Sequence, residues 1–370
     1  MPEAQKKRAT LHDVAELAGV SYQTVSRVVN EHPNVAPDTR CRVLEAIEQL
    51  GYGSSRAGAH RRQGRTQLLQ LLTFDLNYSD PLPPMVYWAK QAGYSMAISE
   101  HDYCGPTGNL RKTLEALAAR KVDGIILLTP YPVPPYDELV RYSKGTPLLY
   151  AVTAMQSMVP SVVTDQRLGA ALAIDHLLEL GHRRIAEISG PLASKGRGLT
   201  RGHDDALVRH LVIGEKLQAL GQAPVATVEG DFTIRGGYEA TMKLLAGGKA
   251  FTAIFYGNDR MALGGMRALR EQGLRIPQDV SVVGFDDMFE AAFFEPPLTT
   301  VRQDLDVVGK ESIDYLVALI EEPDTPLEQR VLVPQLVVRQ STSVPSTSVP
   351  ERAPAGRAPT GRTPTRGDTE

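Results

Sequence analysis

The chain has 370 residues, 42% of them apolar, enough for more than one domain with a real core. Its net charge of −3 argues by itself against a polyanion partner, but residues 1–66 hold 10 Lys+Arg against 7 Asp+Glu, while residues 67–340 hold 26 against 33. The basic surplus therefore sits at the N-terminus, where phosphate contacts would need it. Cys41 and Cys104 give neither a metal-ligand spacing nor a disulfide framework. No apolar run reaches transmembrane length and MPEAQKKRAT lacks the apolar segment of a signal peptide, so a cytoplasmic protein without membrane, metal or cofactor is expected.

After a polar, basic arm (residues 1–9), the stretch from Thr10 to Asn30, TLHDVAELAGVSYQTVSRVVN, carries two short helical patterns flanking Gly19-Val20-Ser21. Thr10 suits the cap of the first helix, with Asp13 as reciprocal partner, and Ser21 the cap of the second. At about 100° per residue, Tyr22, Gln23, Ser26, Arg27 and Asn30 share one face of the second helix, and Val25, Val28 and Val29 the other. The apolar face is expected to pack on Val14, Leu17 and Ala18. The polar face carries an aromatic, an amide and a guanidinium, groups suited to reading base edges in a major groove. This predicts a helix-turn-helix with Ser21–Asn30 as recognition helix.

A third helix follows, with Pro37 in its first turn, Gly51 at its stop, and Val43, Leu44, Ile47 and Leu50 closing the headpiece. Residues 53–66, GSSRAGAHRRQGRT, read as a basic linker. Beyond Thr66, short apolar runs alternate with amphipathic helical patterns. Strands are predicted at 68–74, 95–99, 124–129, 147–152, 185–189, 253–256 and 280–285, and helices at 110–120, 168–180, 236–246, 260–272 and 307–320. Strands separated by helices mean parallel α/β sheets, and there is too much material for one compact sheet, so two α/β lobes are expected. Residues 341–370, rich in Pro, Ser, Thr, Arg and Gly, have a disordered composition. The predicted division is thus 1–52 headpiece, 53–66 linker, 67–340 core and 341–370 tail.

Enzyme signatures are missing. No G-x-G-x-x-G follows a strand, and there is no Walker loop and no G-x-S-x-G. His182, in LGHRR, reads as a turn residue between helix and strand. A non-enzyme is expected.

The string from Asp13 to Asn30 meets every fixed position of D-V-A-x-x-A-G-V-S-x-x-T-V-S-R-V-x-N, and the chain resembles the lac repressor / gal repressor family on that ground. Further strings similar to the family run through the second half: LLELGHRRIAEISGPL, EGDFTIRGGYEA, IFYGNDRMALGGMRALREQGLRIPQDVSVVGFDD and PPLTTVRQDL. The resemblance covers about residues 10–340. It implies an all-α headpiece ahead of two lobes like those of periplasmic binding proteins, and a transcriptional repressor of a carbohydrate-utilisation operon released by a small sugar. Alternatives are a corepressor-type regulator binding a nucleobase or another metabolite, and a sugar-binding protein that does not bind DNA.

Tyr22, Gln23 and Arg27 are expected to touch bases, since Gln pairs with adenine and Arg grips guanine. Tyr22-Gln23 is the pair of the lac-type recognition helix, so near-palindromic operator DNA with lac-like half-sites is the expected partner. Thr10, Ser21, Thr24, Ser26 and Asn30 would cap or position on phosphates. A competing reading packs Tyr22 against the third helix. In the linker, Arg56 and Arg61 would meet DNA, but Ser54, Gly58 and Arg61 stand where the family usually has proline, alanine and a wedge leucine. An arginine cannot unstack bases as an apolar wedge does, so little operator bending is expected.

For the effector, the resemblance points to Asp165, Phe232, Asn258, Asp286 and Gln303, with Arg197 or Arg201 as the basic member and Arg201 the preferred choice. Asp286 and Asn258 can instead be caps. Two stretches depart from the family: 74–85, where prolines fall at the start of a helix, and 193–210, where extra glycines scramble an arginine-bearing helix start. The leucine-repeat tetramer helix known in the family has no counterpart at this C-terminus, so a homodimer is expected.

Overall fold

The computed structural model describes residues 11–29, 35–50, 65–74, 80–101, 107–129, 134–152, 160–192, 204–322 and 324–346. Thr10, Asn30, Gly51, Arg56, Arg61, Arg197 and Arg201 lie outside them, as does most of the linker.

The headpiece forms three helices: α1 (Leu11–Ala18), α2 (Tyr22–Val29) and α3 (Pro37–Gln49). Gly19 ends α1 with φ +62, a left-handed conformation that glycine adopts without strain. Val14, Ala15, Ala18, Val25, Val28, Val43 and Ala46 fill a small common core. Leu17, Leu44 and Leu50, all expected inside, are instead exposed. In so small a bundle, valines and alanines fill the centre, and these leucines lie outside it.

The remaining described residues form two compact units, parted at Thr164/Asp165, Asp304/Leu305 and Leu332/Val333. Lobe one contains β1 (Leu68–Thr73), α4 (Leu82–Gln91), β2 (Ser95–Glu100), α5 (Thr107–Ala119), β3 (Gly124–Leu128), α6 (Tyr136–Tyr142), β4 (Leu148–Val152) and β5 (Ser161–Thr164). Later in the chain come α11 (Leu305–Glu321) and β11 (Gln329–Leu332). All six strands pair in parallel, in the order β11-β5-β4-β3-β1-β2. Alternate residues point to opposite faces. Ile126 and Leu128 pack with Met85 of α4 and Leu316 of α11, whereas Ile125 and Leu127 pack with Leu114 of α5 and Leu139 of α6. Both faces are covered, which is why these strands read as continuous apolar runs.

In the stretch 74–85, where prolines fall at the start of a helix, the described helix α4 begins at Leu82. Pro83 and Pro84 fall in its first turn, where the missing N–H groups have no intrahelical partner in any case. Thr66 donates through its backbone N–H to Asp123 (2.9 Å) and Arg65 to the Ile320 carbonyl (2.9 Å), so the end of the predicted linker belongs to lobe one.

Lobe two contains α7 (Gln166–Glu179), β6 (Ile185–Ser189), α8 (Asp204–Gln218), β7 (Thr227–Glu229), α9 (Ile234–Ala246), β8 (Ala253–Tyr256), α10 (Asp259–Glu271) and β9 (Ser281–Val283). A 3-10 turn (Phe289–Phe293) and β10 (Thr300–Arg302) follow, and β12 (Gln335–Val337) returns beside β10. The parallel sheet has the order β7-β6-β8-β9. Ile188, Ile254 and Val282 face α9 and α10, while Ile185, Phe255 and Val283 face α7 and α8. At the α9–α10 crossing, a side chain on Gly237 would strike the Met261 backbone and one on Gly264 the Ile234 carbonyl, so glycine lets the two helices touch.

Part of the predicted tail is built into lobe two. The Ser341 hydroxyl donates to the Val282 carbonyl (2.6 Å) and accepts from the Thr299 N–H (2.8 Å), and Ser341 is buried. His182, read as a turn residue, is buried beneath this strap. Its Nε2 faces the Ser343 carbonyl at 2.9 Å and its Nδ1 the Thr252 hydroxyl at 2.9 Å. Six residues of disorder-like composition are thus ordered, because backbone carbonyls and small hydroxyls, not apolar bulk, hold them. The lobe ends no earlier than Ser346.

Candidate nucleic-acid interface and effector site

In the headpiece, the Ser21 hydroxyl accepts from the Thr24 N–H (3.2 Å) and lies 2.9 Å from the Thr24 hydroxyl. It is the N-cap of α2, and it fixes where that helix starts. Val25 and Val28 are buried, and their burial leaves Tyr22, Gln23 and Arg27 exposed together on the opposite face. Thr24 is half-buried, and Ser26 lies within α2. The Tyr22 ring does not enter the core. It lies against His12 of α1, with centroids 5.1 Å apart and planes tilted by 52°. The competing packing of Tyr22 on the third helix is therefore replaced by an exposed contact with the first.

In lobe two, the C-terminal ends of β6, β8 and β9 bring a polar set together. Arg209 of α8 is buried. Its Cζ stands 3.7 Å above the Phe285 ring, its Nε donates to Gln166 Oε1 (2.9 Å), and its Nη1 donates to the Gly257 carbonyl. Gln166 Nε2 donates to Gln303 Oε1 (2.7 Å), and Gln303 Nε2 donates to Asp286 Oδ1 (2.7 Å). A guanidinium, two amides and a carboxylate thus run in one hydrogen-bonded chain. Asp286 has φ 118 and Asp287 φ 55, backbone conformations that cost free energy in a non-glycine residue and persist only where the surroundings impose them. Asp287 is pinned by Arg302 (2.6 Å) and Arg339 (2.7 Å).

The other predicted residues divide. Asp165 caps α7 by accepting from the Leu168 N–H (2.9 Å), and Asn258 caps α10 by accepting from the Met261 N–H (2.9 Å). Capping, which competed with the pocket role for Asn258, is what its Oδ1 does, and its Nδ2 donates to the Phe232 carbonyl (3.1 Å). Phe232, at φ 65, lays its ring over Gly190, where any side chain would collide with it. Asp286, by contrast, bonds Gln303. Asp259, fully buried next to Asn258, accepts from the Thr300 hydroxyl and the Met288 N–H. Burial, and secondarily Asp286, hold its pKa well above the usual carboxylate range.

Sequence reasoning missed Arg209 and Gln166. A signal existed: Arg209 continues the stripe Ala206, Ile213 and Leu217 at helical spacing, and an arginine on an apolar stripe is buried with partners.

Residues 10–55 match the model of bacterial regulatory proteins of the lacI family, and residues 174–342 match a periplasmic binding protein-like domain. The chain is 35% identical over 345 residues to the lactose operon repressor of Escherichia coli strain K12, covering 92% of each chain. It belongs to the LacI family of transcriptional regulators. It is also 33% identical over 338 residues to the ribose operon repressor of the same strain, covering 90% of this chain and 99% of that one. Among solved structures it resembles the lac repressor dimer bound to operator and the anti-inducer ONPF, with a TM-score of 0.74 and 33% identity over 91% of this chain and all of that one. These LacI-family relatives are repressors, not enzymes. The helix-turn-helix headpiece and the parallel α/β core are the family's architecture. No helix among the described residues is long and apolar enough to cross a membrane.

Proposed function

We propose that the protein is a cytoplasmic, dimeric repressor that binds a near-palindromic operator with lac-like half-sites and is released by a small sugar. The observation that carries the DNA reading is the exposed triad Tyr22, Gln23 and Arg27 on a helix whose other face is buried. Gln23 and Arg27 supply base-edge contacts, and Ser21 and Thr24 set the register on phosphates. The effector reading rests on lobe two. A carboxylate, two amides and a guanidinium follow one another along Asp286, Gln303, Gln166 and Arg209, a set that matches vicinal hydroxyls, and Phe232 offers a ring for an apolar sugar face. Arg209 takes the basic role first expected of Arg201. Dimer formation is supported by Phe289 and Phe293, 82% and 73% exposed on one 3-10 turn, an apolar patch that needs a cover.

The test is a gel shift with a lac-like palindrome, titrated with lactose, ribose, cellobiose and a purine base. Binding that a sugar weakens is the expected result. Binding strengthened by the purine selects the corepressor alternative, and no binding at low salt overturns the repressor reading.

A further inference from the structure

The strand β6 has one residue out of pattern. Ile185, Glu187 and Ser189 point to the same face of the sheet, the one covered by α7 and α8. Cross-strand neighbours of Glu187 are Phe255 and Thr227, and the layer it enters contains Ile174, Leu177, Ile213, Leu217 and Phe255. Its carboxylate is only 1% exposed. Two groups meet it: His210 Nδ1 at 2.7 Å and the Thr227 hydroxyl at 3.1 Å. His210 is the residue after Arg209 on α8.

Glu187 is buried and His210 half-buried, and such an ion pair adds little net stability, because desolvation offsets most of the attraction. What such a pair does well is fix one arrangement among several, since apolar packing alone tolerates small helix rotations and a 2.7 Å bond does not. Here the arrangement it fixes includes Arg209, whose contacts with Gln166, Gly257 and Phe285 need α8 at one rotation. We propose that Glu187 and His210 form a latch between β6 and α8 that positions Arg209 in the polar site of lobe two and makes that position sensitive to proton concentration.

The surrounding charges leave the pair in control. Glu229, on β7, adds a second negative field at His210. On α8 itself stand Asp204, Asp205, Arg209, Glu215 and Lys216, the two aspartates in its first turn, more than one turn ahead of His210. On α7, Arg167 is taken by Glu215 (2.6 Å) and Asp175 by Lys216 (2.7 Å), so these balance one another. The hydrogen bond to Glu187 raises the pKa of His210, outweighing the burial that lowers it. A histidine whose pKa is raised on folding contributes stability that is full below its unfolded value and lost as pH rises through the folded one. The latch is therefore tight in mild acid and loosens as pH rises above the ordinary histidine range.

The latch itself requires no ligand; only its consequence for effector binding rests on the proposed role of the Arg209 site. The experiment uses the full-length, ligand-free protein. Amide exchange across 204–218 is measured at pH 6 and pH 8, corrected for intrinsic rates, together with the Arg209 Nε–H resonance of [15N]arginine-labelled protein, assigned with Arg209→Lys. Wild type is expected to lose roughly threefold or more of its α8 protection on going to pH 8, with broadening of the Arg209 signal. Glu187→Gln keeps an acceptor but removes the charge, and should abolish that pH dependence while α8 remains helical. His210→Gln, which keeps a donor, should do the same. Equal protection at both pH values in wild type, or a pH dependence that survives in Glu187→Gln, overturns the latch. Lactose, ribose and cellobiose titrations on the same samples are a separate arm. If no sugar binds, the effector reading fails while the exchange result stands.

Discussion

The bond between Arg209 and Gln166 makes a prediction that can be worked through. Replacing Arg209 with Met keeps an unbranched apolar stem of similar reach but removes every donor. Two buried acceptors, Gln166 Oε1 and the Gly257 carbonyl, are then orphaned, at about 1–3 kcal/mol each. The cation over Phe285 is lost too, worth about 2 kcal/mol where desolvated. Against this, the guanidinium no longer has to be dehydrated. A net loss of about 3 kcal/mol in lobe two is expected. Gln166→Leu alone orphans Arg209 Nε and Gln303 Oε1 and should cost about 2 kcal/mol. Both single variants carry the penalty of one broken bond, so the double variant should cost less than their sum by at least about 1 kcal/mol. Native-state hydrogen exchange at the β8 amides reads the opening free energy of this lobe. If the two substitutions add to within about 0.3–0.5 kcal/mol, the residues are independent and the polar chain is not a unit.

Four further outcomes are expected. Ser21→Ala should cost the headpiece about 1 kcal/mol through loss of the α2 cap, seen as faster amide exchange across α2. Gln23→Ala should relax preference at one base pair by about 1–3 kcal/mol in a panel of single-base operator variants, and a uniform loss over all variants would refute base contact. Phe289→Asp with Phe293→Asp should raise the dimer dissociation constant at least about tenfold in sedimentation equilibrium, since burying each ring is worth about 1.5–3 kcal/mol. Burial lowers the pKa of His182, so its contribution to stability is full above the ordinary histidine value of about 6.5 and falls as pH drops toward the lowered folded value. A chain ending at Gln340, which removes the strap over His182 and so relieves the burial that lowers its pKa more than the Ser343 carbonyl raises it, should melt lower at neutral pH and show a shallower fall in melting temperature between pH 7 and 5.

What the sequence made legible follows the range of the interactions. The headpiece is local: Ser21 caps a residue three positions away, and Val25 and Val28 find their partners within thirty residues. Strands such as Gly124–Leu128 and Ala253–Tyr256 declared themselves, because burial on both faces demands an unbroken apolar run. One local signal misled. The composition of 341–346 read as disorder although its hydroxyls and carbonyls bond Val282, Thr299 and His182. That could not be settled locally, since the partners of that strap lie from about forty to one hundred and sixty residues away.

The polar site shows the same limit from the other side. Its members come from positions 166, 209, 286 and 303, and no spacing in the chain relates them. The resemblance named Asp286 and Gln303 because those strings match the family; its basic candidates, Arg197 and Arg201, lie outside the described residues, where 193–210 departs from the pattern. Among the described residues of that stretch, α8 places a buried cation, Arg209, beside Gln166. Glu187 is the same lesson in a strand: an acid in an apolar alternation is expensive unless it has a partner, so its presence predicts one. Its partner, His210, stands beside the missed arginine. Arg209 and the histidine that meets Glu187 are thus neighbours on one helix, α8, and each out-of-pattern residue of lobe two marks a polar contact that the apolar pattern alone does not show.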